Sequence, residues 1–219
     1  MHDLIKNYKA IISTIALRIK DRNIITTPKV IAVSKTFKLD KIIPLIDYGH
    51  LDYGENKVQE AIEKWSDIKL TKKHLQLHLV GKLQTNKVKQ AIKIFDYIHS
   101  LDSEKLAKKI ADEQIKQSKK IKFFIQVNIG NEQQKSGINK NQLPDFYEFC
   151  MTLKLNIIGL MCIPPFNEDS RKYFQEMSVI NQSLKLKDLS MGMSSDYLDA
   201  LDYSATYLRI GTSIFGRRN

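Results

Sequence analysis

A lysine directly after a short apolar run is the first side chain of this sequence that could do chemistry. Lys35 follows Ile31-Ala32-Val33, which has the composition of a buried strand. Desolvation at the end of such a strand, together with nearby cations, lowers the pKa of an amine. A neutral lysine amine can attack an aldehyde and form a Schiff base. The alternative is a lysine that pairs with a carboxylate or extends its amine into water.

Two loops near the end of the sequence have the composition of an anion site. Residues 190–196 read Ser-Met-Gly-Met-Ser-Ser-Asp and end one predicted strand, and Arg209-Ile210-Gly211-Thr212 ends the next. Serine hydroxyls, backbone N–H groups and a glycine that permits close approach all suit a phosphate. A phosphate held there, on a molecule whose aldehyde reaches Lys35, describes pyridoxal phosphate (PLP).

Weaker candidates follow the second, third and fifth predicted strands. Asn56 could offer its amide to a ligand oxygen, but it could equally lie in the first turn of a helix. His78 could act as an acid or base, although we expect a core histidine with one hydrogen-bond partner. Further polar groups follow the fifth strand at Gln126, Asn128 and 135–137.

Short apolar segments alternate with helix-period segments, which predicts the elements that position these side chains. After a helix over 3–20, strands are predicted at 30–33, near 51–53, and at 75–80, 97–100, 121–129, 156–161, 189–191 and 207–210. Continuous apolar runs are typical of parallel strands covered by helices. We therefore predict an α/β protein, a single (β/α)8 TIM-type barrel with an extra N-terminal helix; a doubly wound open sheet is the alternative. In such a barrel, function lies at the carboxyl ends of the strands, and the loops after strands seven and eight often hold a phosphate.

Composition excludes several classes of protein. The 219 residues are 42% hydrophobic and include nine Phe, which excludes an intrinsically disordered chain. Cys150 and Cys162 build neither a disulfide framework nor a paired metal motif, so we expect no metal site. No apolar stretch approaches the roughly 20 residues that cross a bilayer, and residues 1–6 lack a secretory pattern. We expect a cytoplasmic protein without a membrane partner.

The charge balance raises the possibility of a nucleic-acid partner. Lys and Arg number 35 against 24 Asp and Glu, a formal net charge of +11. The lysines are scattered and interrupted by acidic residues, and aromatic residues do not interleave with them as they would on a stacking platform. We therefore interpret the charge as a solvated surface and expect no nucleic-acid binding.

A series of short motifs runs through the whole chain. The motifs are Ile31-Ala32-Val33-Ser34-Lys35-Thr36, Tyr53-Gly54-Glu55-Asn56, His78-Leu79-Val80-Gly81, Leu83-Gln84-Thr85-Asn86-Lys87, Ile125-Gln126-Val127-Asn128, Lys135-Ser136-Gly137, Gly159-Leu160-Met161, Leu189-Ser190-Met191-Gly192-Met193-Ser194, Arg209-Ile210-Gly211-Thr212 and Ile214-Phe215-Gly216. In their order and spacing the sequence resembles the pyridoxal phosphate homeostasis protein family. The fold of that family is similar to the barrel domain of alanine racemase.

The resemblance implies a set of cofactor-binding residues. Lys35 would carry the Schiff base, and Asn56 would lie near the cofactor ring. Ser194 would lie at the phosphate, and Gly211-Thr212 would complete the phosphate cradle. Arg209 would face the ring nitrogen or the phosphate.

The resemblance also implies a function, namely binding PLP and taking part in intracellular vitamin B6 homeostasis without catalytic turnover. A racemase needs a second base on the other face of its substrate, which the racemase fold takes from a β-rich domain. We expect residues 1–219 to be one PLP-binding barrel domain without that addition. The alternative is a PLP-dependent, racemase-like enzyme with His78 or Tyr53 as its second base. Expected partners are PLP and, transiently, apo-enzymes that use it, with the protein itself a monomer.

Overall fold

The computed structural model describes residues 3–217, in which strands and helices alternate. The strands are β1 Lys29–Val33, β2 Asp52–Glu55, β3 Gln76–Leu79, β4 Tyr97–Leu101, β5 Lys122–Val127, β6 Ile157–Cys162, β7 Asp188–Met193 and β8 Tyr207–Ile210. The helices are α1 Asp3–Asp21, α2 Leu39–Asp47, α3 Val58–Thr71, α4 Val88–Ile94, α5 Glu104–Lys116, α6 Leu143–Thr152, α7 Ser170–Ser183, α8 Tyr197–Asp202 and α9 Thr212–Phe215.

The strands form a closed parallel barrel. Each strand pairs with the next in sequence order, and β8 returns to β1 with Ile31 beside Arg209. The predicted barrel with an extra N-terminal helix is therefore confirmed, and the open sheet is wrong. Residues 1, 2, 218 and 219 lie outside the described range, and the assignment of 1–219 to one domain stays a prediction.

Local sequence explains how the helices are placed. In α1, the buried residues Leu4, Ile11 and Ile15 recur at helical spacing and form one apolar face, and the helix packs against α2, α8 and α9. Asp169 precedes α7 and accepts a hydrogen bond from the backbone N–H of Arg171, which satisfies one donor of the first turn. None of the helices between residues 3 and 217 combines the length and hydropathy needed to cross a bilayer.

Apolar side chains pack in two separate regions. The larger region lies between the barrel and its helices and includes the fully buried Trp65, Phe95 and Phe174. The smaller one fills the barrel interior and consists of Ile31, Val33, Tyr97, Phe124, Met161 and Tyr207.

The barrel interior contains more polar side chains than the continuous apolar runs of the sequence indicate. His78 of β3 and His99 of β4 are fully buried there. Their rings stack on Tyr97 and Phe124, with centroids 4.2 and 4.3 Å apart. Strand residues alternate between the two faces of the sheet, so an inward polar residue can follow an outward apolar one.

Candidate functional site

A cavity of about 670 Å³ opens where the strands end at their carboxyl side, and we call it the mouth cavity. Its volume lies within the roughly 300–1,000 Å³ of typical ligand pockets. The structure brings together all six residues that the sequence predicts to bind a cofactor, because each of them lines this cavity: Lys35, Asn56, Ser194, Arg209, Gly211 and Thr212. Their contact with a cofactor stays a prediction.

Lys35 lies in the turn that follows β1. The backbone N–H of Ser34 donates to the carbonyl of Gly54 at 2.9 Å, and the N–H of Phe37 donates to the carbonyl of Ser34 at 3.1 Å. Between them, Thr36 has a φ of 69°, a left-handed conformation that is unfavourable for a β-branched residue. The half-buried Lys35 is presented to the cavity by this strained turn.

Charged side chains of α3 form hydrogen bonds to the backbone of the turn that carries Lys35. The backbone N–H of Thr36 donates to the Glu60 carboxylate at 2.5 Å. The Lys64 amine donates to the Ser34 carbonyl at 3.0 Å and to the same Glu60 oxygen at 3.0 Å. It also donates to Glu55 at 2.9 Å. Because charge-assisted bonds are stronger than neutral ones, this brace offsets the conformational strain at Thr36.

Glu55 is the buried carboxylate of the brace. Its Oε1 accepts from Lys64, from the Ser34 hydroxyl at 2.7 Å and from the Trp65 indole at 3.0 Å. Its Oε2 is buried and has no hydrogen-bond partner among the described residues. Burial raises the pKa of Glu55, and the Lys64 cation opposes that shift. Glu55 therefore supports the turn from inside the protein.

The loop after β7 forms another wall of the mouth cavity. Gly192 has a φ of 86°, and a Cβ there would lie 2.7 Å from the Cβ of Ala200, so a side chain does not fit. The Asp196 carboxylate accepts the backbone N–H of Met193 at 2.6 Å. Together these contacts fix the loop that carries Ser194.

The loop after β8 meets the loop after β7 at Ser194. The Ser194 hydroxyl oxygen accepts the backbone N–H of Ser213 at 3.3 Å. A Cβ on Gly211 would lie 3.2 Å from the carbonyl oxygen of Val33, so glycine lets β8 and β1 approach at the cavity wall. With Thr212 at the start of α9, the two loops give the cavity hydroxyl and backbone groups that suit an anion.

Asn56 lines the mouth cavity where β2 ends. A Cβ on Gly81, in the loop after β3, would lie 2.3 Å from the Asn56 carbonyl oxygen, so glycine is needed for the two loops to touch. Gln126, Asn128 and 135–136, which the sequence places after the fifth strand, reach the same cavity.

Arg209 is the buried cation of the site. Its Nη1 donates to the Ser190 hydroxyl at 2.8 Å, and its Nη2 donates to the Cys162 carbonyl at 2.9 Å. Burial lowers the pKa of Arg209, but an arginine remains protonated at neutral pH. The guanidinium is therefore a fixed positive charge at the cavity.

The structure places the two candidates for a second base away from the mouth cavity. His78 lies inside the barrel, so its interpretation as a core histidine is confirmed, although it has two hydrogen-bond partners rather than one. Tyr53 packs against Trp65 with ring centroids 4.8 Å apart, and burial raises the pKa of its hydroxyl.

His99 is a buried residue beside Ser190 that the sequence reasoning missed. Ser190, which the sequence analysis counted among the serines of the anion site, is instead buried as a hydrogen-bond partner of Arg209 and is not among the residues that line the mouth cavity. Ser190 accepts from Arg209, and His99 lies 2.8 Å from the Ser190 oxygen. The available signal was a polar residue at an inward position of an otherwise apolar strand.

Comparison with protein families and curated proteins gives consistent results. The family model described as alanine racemase, N-terminal domain, matches residues 16–219. The pyridoxal phosphate homeostasis protein of Aquifex aeolicus is 37% identical over 200 residues, which cover 87% of each chain. The protein of that name from Escherichia coli K12 is 35% identical over 201 residues, covering 86% of this chain and 85% of its own.

Solved structures show the same likeness. PipY of Synechococcus elongatus PCC7942, with PLP bound, has a TM-score of 0.77 and 32% identity, covering 92% of this chain and 100% of PipY. The alanine racemase of Clostridium difficile 630 has a TM-score of 0.70 at 15% identity, covering 93% of this chain and 55% of the racemase. At that identity, the second match indicates a shared fold alone.

Proposed function

Because the chain belongs to the alanine racemase N-terminal domain family, and within it to the pyridoxal phosphate homeostasis proteins, we propose that it binds PLP in the mouth cavity and takes part in the homeostasis of that cofactor. One observation carries the proposal. Lys35, Arg209 and the loops around Ser194 and Gly211 line a single cavity.

The groups at the cavity fit the functional groups of PLP, which are an aldehyde, a phosphate and a pyridine nitrogen. Gly211 lacks the Cβ that would crowd the wall beside Val33, and the hydroxyls of Ser194 and Thr212 are available to phosphate oxygens. Arg209 adds a donor that carries a permanent charge. The site therefore has donors for the anionic end of PLP and an amine for its aldehyde.

Lys35 is the lysine that we propose to hold the cofactor covalently as a Schiff base. Its amine would form a bond to the aldehyde carbon, and the aldehyde oxygen would leave as water. Lys82 and Lys135 also line the cavity, but Lys35 is the one carried by the braced turn between Ser34 and Phe37. A fixed position raises the effective concentration of an amine at its target.

Arg209 is compatible with binding without turnover, although racemases tolerate an arginine at the ring nitrogen, so it gives only secondary support. Bound PLP supplies an electron-withdrawing ring, which enzymes use to stabilise negative charge on a substrate. An arginine that donates to the ring nitrogen would keep that nitrogen unprotonated and weaken the withdrawal. We therefore propose binding without turnover, which is also supported by the positions of His78 and Tyr53 away from the cavity.

The remaining expectations form part of the same proposal. We propose that residues 1–219 act as one PLP-binding domain, that the protein is a cytoplasmic monomer, and that its partners are apo-enzymes that bind it transiently to receive PLP.

The test is an absorption spectrum of the protein loaded with PLP, followed by borohydride reduction and mass analysis of its peptides. We expect an imine band and a reduced label on the peptide that contains Lys35. Lys35→Ala should abolish both while the protein stays folded, and Lys82→Ala, which changes another lysine of the cavity, should leave both. A label that persists in Lys35→Ala would assign the bond to a different lysine.

Turnover is tested separately by incubating loaded protein with L-alanine in deuterium oxide. We expect no sustained exchange of the α-proton. Continued exchange over many turnovers would favour the racemase-like enzyme instead.

A further inference from the structure

A chain of hydrogen bonds runs through the barrel interior from Arg209 to the other end of the barrel. Arg209 Nη1 lies 2.8 Å from Ser190 Oγ, which lies 2.8 Å from His99 Nδ1. His99 Nε2 lies 3.0 Å from His78 Nδ1, and His78 Nε2 lies 3.0 Å from Asp52 Oδ1. Four consecutive bonds therefore connect the five side chains.

This chain joins two separate cavities. Arg209 lines the mouth cavity, whereas Asp52, the first residue of β2, lines a smaller cavity with residues such as Tyr8 and Pro28. Ser190, His78 and His99 between them are fully buried, so water does not replace their bonds. A group bound in one cavity is thus connected to the other cavity by hydrogen bonds between protein side chains alone.

The groups at both ends of the hydrogen-bond chain favour the same direction of hydrogen-bond donation, from Arg209 towards Asp52. A guanidinium only donates, so Ser190 accepts from Arg209, and its own hydrogen can then be donated to His99. An ionised carboxylate only accepts, so His78 must donate to Asp52 from Nε2. Each histidine then accepts at Nδ1 and donates at Nε2, and every polar hydrogen in the chain has an acceptor.

The competing arrangement is a His78 cation paired with Asp52. His78 would then donate to His99 Nε2, and His99 would donate from Nδ1 to Ser190. Ser190 would accept twice, which leaves its hydroxyl hydrogen without an acceptor in the chain, an unfavourable state for a buried group. Burial also lowers the pKa of both His78 and His99, which favours the neutral rings.

We propose that Asp52, His78, His99 and Ser190 are positioning residues that orient Arg209 through one-directional hydrogen bonding. The chain occupies Nη1 of Arg209, the Cys162 carbonyl occupies Nη2, and the remaining N–H groups are available to the mouth cavity. Loss of the acceptor at Asp52 loosens Arg209 from the far end of the barrel. The ligand affected is an anionic or pyridine group bound at Arg209.

The first test needs no ligand. Protein with ¹⁵N-labelled histidine is studied by NMR near neutral pH, with His78→Gln and His99→Gln to assign the signals and the exposed His74 as the reference. We expect His78 and His99 to be neutral and protonated at Nε2. A doubly protonated His78 with the His99 hydrogen at Nδ1 would overturn the proposal.

The second test measures PLP affinity and rests on the proposed function. Asp52→Ala is compared with Asp188→Ala. Asp188 is the first residue of another strand, β7, and carries the same charge, but it takes no part in the hydrogen-bond chain. We expect Asp52→Ala to weaken binding about three- to tenfold, and Asp188→Ala to change it less than about twofold. Asp52→Asn keeps an acceptor oxygen and should therefore recover most of the affinity. It also replaces Asp52→Ala as the test variant if Asp52→Ala does not fold.

Equal losses in the two alanine variants would overturn the positioning role. A wild-type protein that does not bind PLP would contradict the proposed function, while the histidine spectrum would still decide the hydrogen-bond direction.

Discussion

The layer between barrel and helices and the interior of the barrel are built on different principles. In the outer layer, side chains such as Trp65, Phe95 and Phe174 pack against one another with almost no exposure. In the interior, aromatic rings such as Tyr97 and Phe124 stack against the buried imidazoles of His78 and His99. The outer region depends on apolar contact alone, whereas the interior combines apolar contact with a network of buried hydrogen bonds.

This difference between the two regions means that the outer layer mainly determines stability, whereas the interior network is also linked to the functional site. Apolar packing tolerates volume-conserving exchange, whereas a buried polar network is stable only when every donor has an acceptor. The interior network ends at Arg209 in the mouth cavity, and the outer layer contributes only apolar contacts there, from residues such as Val127 and Phe37. Substitutions in the outer layer should therefore lower the free energy of unfolding without changing ligand affinity, whereas those in the interior should also change the pH dependence of stability or the affinity for a ligand at Arg209.

The largest expected effect is on stability and comes from the outer layer. Phe174→Ala should lower the free energy of unfolding by about 3–5 kcal/mol, because it leaves a cavity at a fully buried site. Urea denaturation measures this loss. PLP affinity of the folded variant should stay within about twofold of wild type, since Phe174 lies outside the mouth cavity. A large loss of affinity in folded protein would show that the two regions are coupled.

The second-largest expected effect is a pH dependence of stability that comes from the histidines of the barrel interior. Burial lowers the pKa of His99 and of His78, so both are neutral in the folded protein at pH values where the unfolded chain, with a pKa of about 6.5, becomes protonated. The unfolded state then binds more protons, so the free energy of unfolding falls as pH decreases from about 6.5 towards the lowered pKa values. Each histidine contributes up to about 1.4 kcal/mol per pH unit.

His99→Gln isolates this contribution. Urea denaturation between about pH 6.5 and 5 should show a slope reduced by up to about 1.4 kcal/mol per pH unit relative to wild type, with the full difference reached towards pH 5. Carboxylates that titrate in the same range are common to both proteins and cancel in the difference. An unchanged slope would mean that His99 is protonated in the folded state.

The smallest of these three effects is expected for a single hydroxyl of the mouth cavity. Ser194→Ala should weaken PLP binding about tenfold, or about 1.4 kcal/mol, because it removes a hydroxyl donor to an anion. Pyridoxal, which lacks the phosphate, is the matched ligand and should bind the variant and wild type with similar affinity. Equal losses for the two ligands would place Ser194 away from the phosphate. The free energy of unfolding should change by less than about 0.5 kcal/mol.

The sequence predicted the barrel because the outer layer follows a simple pattern. Apolar segments such as 30–33 and 207–210 mark strands, and the six residues expected at the site lie at strand ends that closure brings to one cavity. Boundaries were less accurate. We expected the second strand near 51–53, but β2 is Asp52–Glu55 and therefore includes Glu55.

The interior could not be predicted in the same way. His99 and Ser190 lie in different strands, β4 and β7, and nothing local indicates that residues 91 positions apart share a hydrogen bond. That contact is created by barrel closure and by the stagger of the strands. The brace of Glu60 and Lys64 on the turn at Thr36 was missed for the same reason, since α3 and that turn meet only in three dimensions.

That brace has a consequence for how quickly a ligand is captured. The turn that carries Lys35 is already held by Glu60 and Lys64, so no segment there has to become ordered when an aldehyde arrives. The rate of capture should then be set by diffusion into the cavity and by the reactivity of one amine. Loading should follow a single exponential at each ligand concentration, without a slow conformational phase.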